Sequence, residues 1–223
     1  MRHDEMTKKK GFPVLKIYDV TAPFGTQLPF YPGDVVMETK EHTSITKGDD
    51  VNITRFSFSC HSGTHYDAPK HMFDNGKTID EFPPERFMGD ALVVEIRGKP
   101  AVTVQDIKMI NCDFSGKFIL FKTDNVGAML QSNFVEDYVY IAPDAAQLLA
   151  AGNPNCVGLD YLSLEKYNAP DLSAHYALMN KDVLVLEGLV LDNVPPGEYS
   201  IYAFPLMVAA GDGSPARVVL IEK

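Results

Sequence analysis

The chain has 223 residues, 45% of them apolar and 22% charged, with a formal net charge of −10. That is the composition of an ordinary globular protein with ample core, and its negative balance argues against nucleic acid or an anionic membrane as partner. The three cysteines (Cys60, Cys112 and Cys156) are odd in number and far apart. They exclude a disulfide framework and a thiolate zinc site, and they suit a reducing compartment.

Residues 1–12 carry charge with no apolar stretch behind them, so they read as a flexible tail and neither as a signal peptide nor as a membrane span. The expected location is the cytoplasm. Residues 13–223 read as one domain. Strand patterns come first at 14–20, 35–42 and 52–61. In the last of these Phe56, Phe58 and Cys60 alternate with Ser57, Ser59 and His61, which predicts a strand that delivers His61 on its polar face. Further strands are expected at 91–97, 118–123, 138–141, 157–160, 183–189, 200–207 and 217–221. Thr103-Val104-Gln105-Asp106 resembles a capping box opening a helix to about residue 111. Pro143 opens a second helix that stops near Gly152, and Ser173 is expected to cap a short third one. The long connections 25–33 and 75–84 are rich in Pro, Gly and aromatics and are expected at a pocket mouth. Phe24, Phe30, Tyr31 and Tyr66 are the candidates for an apolar substrate wall. The fold expected is mixed α/β, a single domain whose curved mixed sheet approaches a barrel with helices outside.

Half of the six histidines fall in His61-Ser62-Gly63-Thr64-His65-Tyr66-Asp67-Ala68-Pro69-Lys70-His71. Neutral imidazole and carboxylate are the ligands of Zn²⁺ and similar cations. Gly63 and Pro69 exclude a regular helix across this segment, so it is not the helical His pair of the H-E-x-x-H peptidases. Far downstream, Glu187 ends the continuous apolar run 183–186 and is followed by Leu189, Val190 and Leu191. A carboxylate buried there needs a proton or a cation; alternatively the strand emerges into solvent at that point.

The His61 to His71 string matches the H-x-G-T-H-x-D-x-P-x-H signature of the cyclase-like metal-dependent hydrolases, to which bacterial kynurenine formamidases and isatin hydrolases belong. The resemblance extends to Tyr18-Asp19-Val20-Thr21, Tyr31-Pro32-Gly33, Val157-Gly158-Leu159-Asp160 and Gly211-Asp212-Gly213-Ser214-Pro215-Ala216-Arg217, about residues 15 to 222 in all. It implies that His61, His65 and Asp67 bind one metal ion, that Asp67 bridges to a second, and that His175 and Glu187 complete the set. His71 would be the proton donor and acceptor. It also implies a β/β/α swivelling architecture and a homo-oligomer, a dimer with exchanged segments. The cofactor expected is Zn²⁺, with Mn²⁺ as the alternative, at one or two ions per chain.

Such a site hydrolyses a small amide, formamide or cyclic amide with metal-activated water, His71 serving as acid and base. A metal-dependent cyclase or dehydratase, and a non-catalytic metal-binding protein, are the rival readings. Several relatives place a Thr-Gly-Trp turn after the 118–123 strand. Here the residues are Thr123-Asp124-Asn125 and the chain has no tryptophan, which leads one to expect a smaller or more polar substrate than an aromatic formamide.

Overall fold

Apolar strands from both halves of the chain close on one another. The computed structural model describes residues 15–25 and 28–223; the tail expected over 1–12 lies outside them. The strands are β1 (Ile17–Asp19), β2 (Glu38–Thr43), β3 (Ile53–Ser57), β4 (His65–Asp67), β5 (Met88–Glu95) and β6 (Ala101–Val102), then β7 (Phe118–Lys122), β8 (Tyr140–Ile141), β9 (Cys156–Leu159), β10 (Leu184–Glu187), β11 (Gly197–Pro205) and β12 (Gly213–Glu222). The α-helices are α1 (Val104–Met109), α2 (Pro143–Ala151) and α3 (Ser173–Met179). Seven strands form a ring in the order β12-β11-β5-β7-β9-β10-β4, and β4 returns to β12. One edge of β12 serves two neighbours: residues 213–215 pair with β4 and residues 219–221 with β1.

β5, β7, β9 and β10 run parallel and are joined to the rest by antiparallel pairings. Parallel strands covered on both faces read as unbroken apolar runs, and β7 shows why. Its Phe118 and Leu120 point into the ring beside Tyr66, Leu184, Leu186 and Val218. Its Ile119 and Phe121 point outward, with Val157 and Val185, beneath Leu149 of α2 and Leu178 of α3. The capping box at Thr103 and Asp106 opens α1 as expected, and Pro143 occupies the first turn of α2. No helix among the described residues is long and apolar enough to cross a membrane.

Two local expectations are corrected. β3 stops at Ser57, four residues short of His61, and every one of its residues is exposed. Among the described residues it pairs with β2 alone, in a two-stranded ribbon, so no further strand extends it there. Beyond it Ser59 and Ser62 hydrogen-bond to each other in both directions and turn the chain. Ser173 does not cap α3 either: Leu172 holds the capping position without a side-chain bond, and the exposed amides are satisfied from elsewhere, as described next.

Candidate metal centre

Cross-strand register assembles the centre. In the β4–β10 pair His65 stands opposite Glu187 and Tyr66 opposite Leu186. Side chains alternate along a strand, so His65, Asp67 and Glu187 share the outer face while Tyr66 and Leu186 enter the ring. Directly before β4 the turn carrying His61 is folded back on β10. The Thr64 hydroxyl donates to the Gly188 carbonyl at 2.6 Å and accepts the Ala22 N–H at 2.8 Å. After β4, Pro69 starts a single 3₁₀ turn that brings His71 round, its N–H bonded to the Ala68 carbonyl. α3 supplies His175 from above.

The donor atoms converge. His65 Nε2 lies 3.3 Å from Asp67 Oδ1 and 3.6 Å from Glu187 Oε2, and His175 Nε2 lies 3.6 Å from Asp67 Oδ2 and 3.3 Å from Glu187 Oε1. His61 Nδ1 is 2.6 Å from Asp67 Oδ1. Ligands held about 2.0–2.2 Å from one cation in a tetrahedron stand roughly 3.3–3.6 Å from each other, so the His65 and His175 spacings fit a divalent metal, while the His61–Asp67 contact has the length of a hydrogen bond. Two donor triplets, His61 with His65 and Asp67, and Asp67 with His175 and Glu187, share Asp67. His65, Asp67, His175 and Glu187 are all buried.

Electrostatics supports the fit. No lysine or arginine is among the residues lining the cavity over these donors. Burial opposes charge on His61, but Asp67 and then Asp212 raise its pKa to about 9. Burial opposes charge on His175 too, and Asp67, Glu165 and Glu187 outweigh it, holding the pKa well above the usual imidazole range. Desolvation would raise Asp67, yet the three imidazoles keep it well below the ordinary carboxylate value. Without metal, the charge favoured on His61 and His175 offsets these carboxylates; a divalent cation would take the same place and release the protons. His71 behaves differently, since burial pushes its pKa down from the ordinary value. That direction favours the neutral ring, the form able to accept a proton. Its ring lies 4.1 Å from that of His61, centroid to centroid.

A cavity of about 280 Å³ opens over the donors, lined also by Tyr31, Asp34, Leu162, Ser163 and Leu172. His61, His65, Asp67, His71, His175 and Glu187 are thus brought together. Of the four candidate wall residues, Tyr31 lines the cavity and the others do not. Phe24 packs behind the Gly63 turn and against Phe58, Phe30 is largely exposed, and Tyr66 is inside the ring against Phe87. Two carboxylates went unnoticed in the sequence. Asp212 accepts from His61 Nε2 at 3.1 Å, and Glu165 Oε2 lies 3.2 Å from His175 Nδ1. Asp212 stood in a segment that carried the family resemblance without a role attached to it, and Glu165 followed the mixed stretch 159–164 with no pattern to mark it. Asp124 and Asn125 do not face the cavity. Asp124 accepts from Gly98 N–H and pairs with Arg97, whereas Asn125 is buried and bonded to both backbone groups of Val139.

A closed mixed barrel carrying a buried His/Asp/Glu metal centre beneath a small open cavity defines a metal-dependent hydrolase class. The Cyclase family model matches residues 18–166, and this chain belongs to that family. Over 210 residues it is 34% identical to kynurenine formamidase of Salinibacter ruber (strain DSM 13855 / M31), covering 92% of this chain and 97% of that one. The solved structure of a predicted metal-dependent hydrolase from Bacillus stearothermophilus superposes with a TM-score of 0.81 at 31% identity, covering 95% and 100% of the two chains. Isatin hydrolase A from Labrenzia aggregata has the same fold, with a TM-score of 0.77 at 23% identity and 98% of each chain covered.

Proposed function

We propose that residues 13–223 form one amide-cleaving, metal-dependent hydrolase domain whose substrate is a small aryl formamide such as N-formylkynurenine. The observation that carries the reading is the pair of donor triplets sharing Asp67, buried at every member but His61, with His71 lining the same cavity. His61, His65, Asp67, His175 and Glu187 would hold the metal. Imidazoles with two carboxylates suit Zn²⁺ first and Mn²⁺ second, and the shared Asp67 supports two ions per chain. A bound divalent cation supplies acidified water at neutral pH and polarises the substrate carbonyl.

This chain's own residues do the rest. His71 accepts the proton of the attacking water and returns it to the amine nitrogen as the C–N bond breaks, leaving formate and the free aryl amine. Asp212, 4.0 Å from His71 Nδ1 and hydrogen-bonded to His61, faces both rings at the cavity edge. Tyr31 supplies an aromatic wall, itself stacked edge-on against Phe134 and Tyr167 at 5.3 and 5.9 Å.

The aromatic assignment reverses the expectation of a smaller, polar substrate. Asp124 and Asn125, on which that expectation rested, face away from the cavity. The kynurenine formamidase relatives support the same direction. We further read the functional unit as a homodimer, supported by an exposed apolar groove beside the β2–β3 ribbon.

The test is hydrolysis of N-formylkynurenine by protein reconstituted with Zn²⁺ or Mn²⁺, with His71→Ala alongside. Metal-dependent turnover that drops at least about 100-fold in a variant retaining its metal is the expected result. Loss of metal from His71→Ala would make His71 a ligand. Absence of turnover by the metal-loaded wild type would move the substrate away from aryl formamides.

A further inference from the structure

We propose that residues 163–165 form a clamp setting both C-terminal donors of the centre, with Glu165 as the positioning residue for His175. The proposal rests on the reading of His175 and Glu187 as metal donors.

One oxygen of the buried Glu165 carboxylate, Oε2, receives three groups. They are the Ala174 N–H at 3.0 Å, the His175 N–H at 3.2 Å and His175 Nδ1 at 3.2 Å. The first two are amides of the opening turn of α3, which have no partner within the helix. Glu165 therefore caps α3 from eight residues before its first residue, where Ser173 was expected to act. The third contact carries further. An imidazole donates from Nδ1 to a carboxylate only with its proton there, so when a metal displaces the second proton it is the Nε2 lone pair that is free to bind. His175 Nε2 is the atom that faces Asp67 and Glu187. One side chain thus places the backbone, the ring and the tautomer of His175. A carboxylate behind a ligating imidazole also makes it a better donor.

The neighbouring residue treats Glu187 in the same way. The Leu164 N–H donates to Glu187 Oε1 at 2.6 Å. Glu187 is left with Oε2 toward His65 while Oε1 is shared between the amide and the side facing His175. The segment is itself held from outside by Tyr138 and Ile141 and braced by one internal bond. The Tyr138 hydroxyl donates to the Glu165 carbonyl, the Ile141 N–H to the Leu164 carbonyl, and the Glu165 N–H to the Ser163 hydroxyl oxygen. Glu165 does not line the cavity, so it acts through His175 and not on substrate.

The rival account makes Glu165 a helix cap and nothing more. Glu165→Gln separates the two because its carbonyl oxygen still serves the backbone amides while the charge behind His175 is gone. Metal-free wild type, Glu165→Gln and His175→Ala are titrated with Zn²⁺ against a chromophoric chelator, and the thermal midpoint of each metal-free protein is recorded. The expected result for Glu165→Gln is a midpoint close to wild type with Zn²⁺ affinity at one site about 10- to 100-fold weaker. Wild-type affinity in Glu165→Gln together with weakened binding in His175→Ala overturns the positioning role and leaves the donor reading standing. Undiminished binding in His175→Ala overturns the donor reading itself. Should the midpoint of Glu165→Gln also fall, imidazole ¹⁵N NMR of Zn²⁺-loaded wild type decides. A proton on Nδ1 with Zn²⁺ on Nε2 supports the clamp, and Zn²⁺ on Nδ1 rules it out.

Discussion

At the scale of single residues, adjacent positions on β4 have opposite fates. Asp67 sits where two triplets meet, so Asp67→Asn removes the charge both depend on. Its expected outcome is loss of bound metal and of turnover together, read by metal analysis of the purified variant. Tyr66, one position earlier, was a candidate for the substrate wall on the strength of being aromatic within the motif. The strand alternation turns it into the ring instead, where its hydroxyl is buried with no hydrogen-bond partner among the described residues. A buried unpaired hydroxyl costs stability, on the order of 1–3 kcal/mol, and removing it recovers part of that. Tyr66→Phe should therefore be neutral or up to about 1 kcal/mol more stable in urea unfolding, with kcat/KM unchanged. A fall in kcat/KM would return Tyr66 to the site.

At the scale of elements, the turn before β4 and the end of β10 are built against one another. Gly188 has φ +70°, and a Cβ on it would lie 2.1 Å from the Gly63 carbonyl oxygen. Backbone against backbone cannot yield without moving the turn between His61 and His65. Gly188→Ala should cost roughly 2–4 kcal/mol and weaken Zn²⁺ binding. Gly48 provides the control: φ is +97° with nothing within 4 Å of a Cβ, so Gly48→Ala should cost only about 1 kcal/mol and leave Zn²⁺ binding intact. The buried Asp160 behind β7 gives a second element-scale test. Burial raises its pKa to about 6 although Thr123 donates both its N–H and its hydroxyl to the carboxylate. The folded state thus holds the proton at pH values where the unfolded chain, near 3.9, has lost it. Its contribution to stability is complete below about pH 4 and disappears as pH rises through 6. Urea unfolding of the metal-free protein at pH 4.5 and 7, wild type against Asp160→Asn, should show wild type losing roughly 2 kcal/mol relative to the variant. A difference that does not change with pH would reject the shift. What was legible in the sequence follows the same divide. β7, β9 and β10 announced themselves because strands buried on both faces leave unbroken apolar runs. The His61 strand was misread because alternation at Phe56, Phe58 and Cys60 continues past the point where pairing stops. Glu165 was invisible because its role arises from a helix end eight residues away, and the facing of Asp124 and Asn125 was not encoded in any periodicity.

At the scale of the whole molecule, the ring explains its own metal centre but leaves one surface without a purpose. A groove of about 590 Å³ lies between the β2–β3 ribbon and the outer face of β11 and β12, walled by Phe24, Phe56, Phe58, Phe204 and Leu206. In the single chain Phe56 and Phe204 are each 45% exposed and Leu206 55%. On β11 the inward residues Ile201 and Ala203 are fully buried while Tyr202 and Phe204 face out, so this apolar band is the second face of a strand that needed only one. Soluble monomers rarely leave contiguous apolar surface of this kind uncovered. A ribbon that pairs with no other strand among the described residues is suited to lie across the groove of a second copy, and a two-fold arrangement would bury both ribbons at once. Phe24 links that contact to the chemistry, since it touches Phe58 on one side and underlies the Gly63 turn on the other. Wild type should therefore sediment as a dimer at micromolar concentration, and the double variant Phe56→Asp, Phe204→Asp as a monomer with an unchanged far-ultraviolet circular dichroism spectrum. Zn²⁺ binding should survive in that monomer, because the proposed donors His61, His65, Asp67, His175 and Glu187 converge within one chain, while KM rises as the turn under Phe24 loses its backing. A monomeric wild type would leave the groove unexplained by self-association, and a dimer untouched by both charges would place the contact on another face.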